Sequence, residues 1–116
     1  MLVTDAMPPV GGSDAPFRLG GAPISVSSGR LLRDDGVLAG SALDMASAVR
    51  NCVRLLDLPL TEALRLAAAT PAAFLGLGDR LGRLHPGCRA DLVALDPDSI
   101  AVLATWVAGE ADRDMP

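Results

Sequence analysis

Asp5 is the first residue of this chain placed to do chemistry. The apolar run Leu2-Val3-Thr4 delivers it to the loop Ala6-Met7-Pro8-Pro9-Val10-Gly11, where a proline pair stops regular structure. A carboxylate at a strand end can take a proton from a water molecule and pass it to a leaving group, if it reaches both atoms. It can equally do no more than form a turn or cap a helix. The second candidate is Gly36-Val37-Leu38-Ala39-Gly40-Ser41, read as a loop entering a helix N-terminus, where free backbone N–H groups favour an acceptor or an anion. Small residues there suit close approach of a ligand. An ordinary capped loop has the same composition.

The remaining reactive side chains point to packing. His85, the single histidine, precedes a Pro86-Gly87 turn with no second histidine near it, the pattern of a surface residue rather than a ligand. Cys52 reads as a core-edge residue of a helix and Cys88 as a strand-edge residue beside a turn, neither with an activating base in sequence. The two form no metal pair and no disulfide framework, so a reduced, cytoplasmic setting is expected. Trp106 reads as sheet packing. A catalytic zinc site takes three protein ligands plus water, and this pattern offers no such set: no metal-ligating residue is assigned.

At 116 residues the chain is long enough to bury a core. A closed (β/α)8 barrel needs about 250 residues, so the chain cannot close one alone. Its 14 acidic residues outnumber 10 basic ones, all arginine and scattered, which argues against a nucleic-acid surface. No apolar run approaches the roughly 18 residues of a membrane span, and Met1 opens no signal peptide. Neither nucleic acid nor membrane is expected as a partner.

The elements that position these residues follow from periodicity and punctuation. Phe17-Arg18-Leu19, Ile24-Ser25-Val26 and Leu31-Leu32-Arg33, separated by Gly20-Gly21, Ser28-Gly29 and Asp34-Asp35-Gly36, predict a small β-meander. Ser41 is expected to cap a helix, with Asp44 adding capping-box character. That helix carries an apolar stripe of Ala42, Ala46, Val49, Val53 and Leu56, with Met45 and Cys52 beside it, and ends at Pro59. A second helix is predicted from Leu60 to Ala69, and a short third one with Thr70 as cap and Pro71 first, closed by Gly76 and Gly78. Strands are expected at Leu81 to Leu84, Asp91 to Leu95 and Ile100 to Val107, with turns at Pro86-Gly87 and Gly109-Glu110.

From Leu2 to about Ala111 the chain resembles the N-acetylglucosamine-6-phosphate deacetylases of the amidohydrolase superfamily. Ala69-Thr70-Pro71-Ala72 and the stretch from Gly82-Arg83-Leu84-His85-Pro86-Gly87 to Asp91-Leu92-Val93 point to the superfamily. Val3-Thr4-Asp5-Ala6, the meander and Leu38-Ala39-Gly40-Ser41-Ala42-Leu43 point to the deacetylases; dihydroorotase-like relatives usually carry a histidine where Ala6 stands. The resemblance implies an α/β fold: the C-terminal fragment of a (β/α)8 barrel (last strand, meander and following helices, residues 1–81) and part of a small β-sandwich (residues 82–116). It implies Asp5 as general base and acid, and Leu38, Ala39 and Gly40 as substrate contacts. It also implies hydrolysis of N-acetylglucosamine 6-phosphate to acetate and glucosamine 6-phosphate, aided by a divalent metal, zinc or iron, whose ligands are not in this chain. A homo-oligomer is expected, and the chain alone is expected to be inactive. Two alternatives stay open: an amidohydrolase acting on another amide or cyclic amide, and a non-catalytic folding or interaction fragment.

Overall fold

The computed structural model describes residues 1–13 and 15–112, which form two antiparallel sheets and three helices. The first sheet is the expected meander, β1 (Phe17–Leu19), β2 (Ala22–Ser27), β3 (Arg30–Arg33) and β4 (Leu38–Ser41), in that spatial order. Ser28 and Gly29, both at positive φ (49° and 74°), make the two-residue turn whose twist matches the flanking strands. Ile24 and Leu31 are fully buried, and alternation leaves Pro23, Ser25 and Arg30 exposed while Leu32 is half-buried.

The fourth strand corrects the expectation of a loop. Leu38, Ala39 and Gly40 lie in β4, where Leu38 pairs with Leu32 and Gly40 with Leu31 across an irregular register. The Asp34-Asp35-Gly36 turn reverses the chain: Gly36 N–H donates to Arg33 O (2.8 Å) and Val37 N–H to an Asp35 carboxylate oxygen (3.1 Å). The returning segment then satisfies the open edge of β3. Alanine and glycine have poor strand propensity, so the local pattern concealed it.

Leu2 to Thr4, expected as a strand, makes no ladder. Leu2 N–H donates to Leu66 O (2.8 Å), and Ala6 forms a single parallel bridge with Ser41. A strand exists only with a hydrogen-bonded neighbour, and among the described residues the β4 end is the one backbone edge this segment meets.

Helix α1 (Met45–Leu56) starts later than expected. Its cap is Asp44, whose carboxylate accepts from Ser47 N–H (2.7 Å), not Ser41. The buried face is Ala48, Val49 and Cys52; Leu56, expected on the stripe, is 66% exposed and Cys52 is central. Helix α2 (Leu60–Ala67) matches its prediction closely. Helix α3 (Ala69–Phe74) begins one residue before Thr70, after a distorted Ala68 and without a side-chain cap. The Thr70 hydroxyl instead accepts from Arg65, itself paired with Glu62.

The second sheet is β5 (Leu92–Leu95), β6 (Val102–Val107) and β7 (Glu110–Ala111). Leu81 to Leu84 is not a strand; it runs as bends, because its flanks close on themselves, with Arg89 N–H donating to Arg80 O (2.8 Å). The Pro86-Gly87 turn forms as expected, closed by Cys88 N–H to His85 O (3.0 Å). Between β5 and β6, Asp96 accepts from Ser99 N–H (2.7 Å) and turns the chain so that Ile100 enters the helical layer. Ile100 is buried with Val49, Cys52 and Ala63, and Arg50 donates to its carbonyl (2.8 Å). A β-branched residue at φ 59° is strained. Burial on one side and the Arg50 hydrogen bond on the other hold it there.

Candidate functional site

Asp5 sits where the N-terminal segment crosses the end of β4. Its φ of 52° is left-handed, a conformation that aspartate tolerates better than most residues. The Asp5 carbonyl accepts from Ser41 N–H (2.9 Å), and Met7 N–H donates back to Ser41 O (3.1 Å). The Ser41 hydroxyl donates to Thr4 O and accepts from Leu43 N–H (3.1 Å). Ser41 thus fixes the backbone on both sides of Asp5, although it caps no helix. The Asp5 side chain is exposed, and no described residue pairs with its carboxylate.

Gly40 is required by this crossing. Its φ is +143°, and a Cβ there would lie 2.5 Å from Met7 Cγ and 3.2 Å from the Asp5 carbonyl oxygen. A side chain there would have to displace the Met7 side chain and crowd the Asp5 carbonyl, at a φ that L residues rarely adopt.

These residues border an open depression of about 500 Å³, lined by Thr4, Asp5, Gly29, Arg30, Leu32, Gly36, Leu38, Gly40 and Ser41. The fold therefore brings together Asp5, Leu38 and Gly40, three of the four residues singled out from sequence. Ala39 lies between them in β4 but does not line the depression. Arg30 was missed. Its place depends on pairing opposite Ser41, a relation invisible until β4 is known to be a strand.

The other reactive residues lie elsewhere. His85 is exposed, with Nδ1 2.7 Å from Pro86 O; Cys52 is in the core; the Cys88 sulfur contacts Asp79 O at 3.6 Å. Trp106 stands opposite Leu92 in the second sheet. It borders a larger cavity of about 610 Å³ between that sheet and the helices, whose lining is apolar apart from Arg83, Asp91 and Thr105. That cavity is larger than the Asp5 depression but brings no paired acid and base together. Among the described residues no group of three or more His, Cys, Asp or Glu side chains could hold a metal ion. The described residues do not fit a catalytic zinc or iron.

Residues 24–115 match the amidohydrolase family. The chain belongs to that family. Among its curated relatives, an N-acetylgalactosamine-6-phosphate deacetylase of Shewanella is 48% identical over 95% of this amidohydrolase chain, and an N-acetylglucosamine-6-phosphate deacetylase of Vibrio furnissii 37% identical over 93%. The chain spans 27% of the length of each. The crystal structure of N-acetylglucosamine-6-phosphate deacetylase from Pasteurella multocida superposes with a TM-score of 0.88 at 34% identity, over 95% of this chain and 29% of that one. The arrangement of meander, helices and second sheet therefore recurs in an amidohydrolase of known structure. No helix among the described residues is long and apolar enough to cross a membrane.

Proposed function

We propose that this chain is the C-terminal portion of a cytoplasmic deacetylase that hydrolyses N-acetylglucosamine 6-phosphate to acetate and glucosamine 6-phosphate. Residues 1–81 would end the barrel and residues 82–116 would supply part of a small sandwich. The single observation that carries the reading is the unpaired Asp5 carboxylate at a depression shared with Leu38 and Gly40, in a segment similar throughout to deacetylases.

In this reading Asp5 takes a proton from the attacking water as its oxygen adds to the acetamide carbonyl. It then delivers that proton to nitrogen as the C–N bond breaks, so the amine leaves neutral and acetate remains. Leu38 and Gly40 offer an apolar surface and a backbone edge to the sugar ring. A family metal, zinc or iron, would supply Lewis acidity from ligands other than the residues described here.

A second reading replaces the substrate by its galacto epimer, favoured by the 48% identity to the Shewanella enzyme. Both are tested by one assay: acetate release from each N-acetylhexosamine 6-phosphate by the intact protein that carries this chain. Faster release from one epimer names the substrate. Release from neither, above a blank, overturns the proposal.

A further inference from the structure

Two peptide planes flank the Asp5 Cα, one carrying the Thr4 carbonyl and the other the Asp5 carbonyl. Rotation of these planes about the Cα is all the backbone freedom the residue has. Ser41 holds both: its N–H donates to Asp5 O (2.9 Å) and its hydroxyl donates to Thr4 O. Among the described residues no backbone N–H reaches Thr4 O, so the first plane is set by the hydroxyl alone. That hydroxyl is itself fixed, because Leu43 N–H (3.1 Å) occupies one lone pair and directs the proton toward Thr4. Ser41 is also anchored in the sheet. It pairs with Arg30 in β3, and the next residue, Ala42, donates its N–H to Gly29 O (3.1 Å).

From the other direction the support is thin. Leu2 to Thr4 joins no ladder and is tied through Leu2 N–H to Leu66 O (2.8 Å). Asp5 stands at φ 52°, which a residue other than glycine keeps only where its surroundings enforce it. Its exposed carboxylate has no described partner to orient it. The carboxylate therefore takes its direction from the backbone, and the backbone takes it from Ser41.

We propose that Ser41 is a positioning residue for the hydrolysis, its hydroxyl aiming Asp5 through the Thr4 carbonyl so that one carboxylate reaches both the water and the departing nitrogen. The assignment rests on the reading of Asp5 as the proton-transferring group. A reacting group displaced by about 1 Å loses on the order of 10²-fold in rate. The surface that Leu38 and Gly40 offer the sugar does not involve the hydroxyl, so the loss falls on kcat rather than KM.

The test follows acetate release from both N-acetylhexosamine 6-phosphates by the intact protein. It compares wild type, S41A, S41T, D5N and the double variant, with metal content and thermal unfolding as folding controls. S41A is expected to lower kcat about 10- to 100-fold with KM little changed. S41T, which keeps the hydroxyl, is expected to recover most of the loss. In the D5N background no proton acceptor is left to aim, so S41A is expected to cost nothing further. A serine that only stabilised the fold would cost the same in both backgrounds. Should S41A not fold, S41C, of similar shape with a weak donor, is read in its place. Wild-type kcat in S41A, a loss that S41T does not recover, or an equal loss in the D5N background overturns the role of Ser41 and leaves the deacetylase reading standing. Wild-type kcat in D5N overturns the roles of Asp5 and Ser41 together. A wild type that releases acetate from neither sugar phosphate overturns the deacetylase reading as well.

Discussion

Ser41 N–H donates to the Asp5 carbonyl at 2.9 Å, across 35 intervening positions of the chain. This hydrogen bond joins the segment bearing the carboxylate to the strand that carries Leu38 and Gly40. Orientation of Asp5 is thus a property of the meander, and changes in β4 will be felt at the carboxylate.

Asp5→Asn in the intact protein is expected to lower kcat by about 10²- to 10⁴-fold with KM and metal content little changed. Asparagine keeps the shape but cannot accept the proton. Steady-state kinetics with metal analysis is the check; near-normal kcat would remove Asp5 from the mechanism.

Gly40→Ala is expected to destabilise the protein by about 1–3 kcal/mol and to lower kcat/KM as well. The new Cβ meets Met7 Cγ at 2.5 Å and has to be accommodated at a φ of +143°. Thermal unfolding beside an activity assay measures both losses. Unchanged stability would mean that the crossing of residues 5–7 over β4 is looser than this geometry requires.

Asp44→Ala is expected to cost about 0.5–2 kcal/mol at neutral pH, the usual loss for an N-cap. Burial alone would raise the Asp44 carboxyl, but hydrogen bonds from the Ser47 side chain and backbone, with the Arg50 charge, outweigh it and hold it below its ordinary value of 3.8. A depressed folded value means that the contribution is fully present above about pH 4 and fades as pH falls through the folded value. Denaturant unfolding of both proteins should show a gap that narrows in acid. A gap independent of pH would assign the loss to something other than the carboxylate cap.

The 116-residue chain by itself is expected to self-associate at micromolar concentration. Val3 (76%), Leu55 (75%), Phe74 (75%) and Leu84 (86%) are exposed, and among the described residues strand β5 has a free edge. Apolar surface and open strand edges of this kind are seldom left in water. Sedimentation velocity decides, and a sharp monomer would contradict the expectation.

The same isolated chain is expected to release no acetate and to carry less than one metal ion per chain, since its described residues present no three-ligand cluster. Turnover above a metal-free blank would show that a site assembles from groups not recognised here.

Local chemistry was legible wherever the signal was local. The pairs Gly20-Gly21 and Ser28-Gly29 marked the hairpins of β1 to β3, and the apolar periods of α1 and α2 placed both helices, because turn dihedrals and 3.6-residue spacing are written in neighbouring side chains. Asp5, Leu38 and Gly40 were also legible as candidates, through their residue types and the family pattern around them.

What needed a partner distant in sequence was not legible. Leu38 to Ser41 became a strand only because β3 had an edge to satisfy, and Leu2 to Thr4 did not become one because its backbone meets a helix carbonyl, Leu66 O, and no strand ladder, the one bridge of the segment being Ala6 to Ser41. Cap choice at α1 passed from Ser41 to Asp44 once the Ser41 hydroxyl was committed to Thr4. Sequence by itself determined the hairpin turns, the helices and the choice of Asp5 as the candidate carboxylate. Tertiary structure decided that Arg30 shares its depression, because strand register is set by hydrogen bonds and burial across the chain, not by the residues on either side of Arg30.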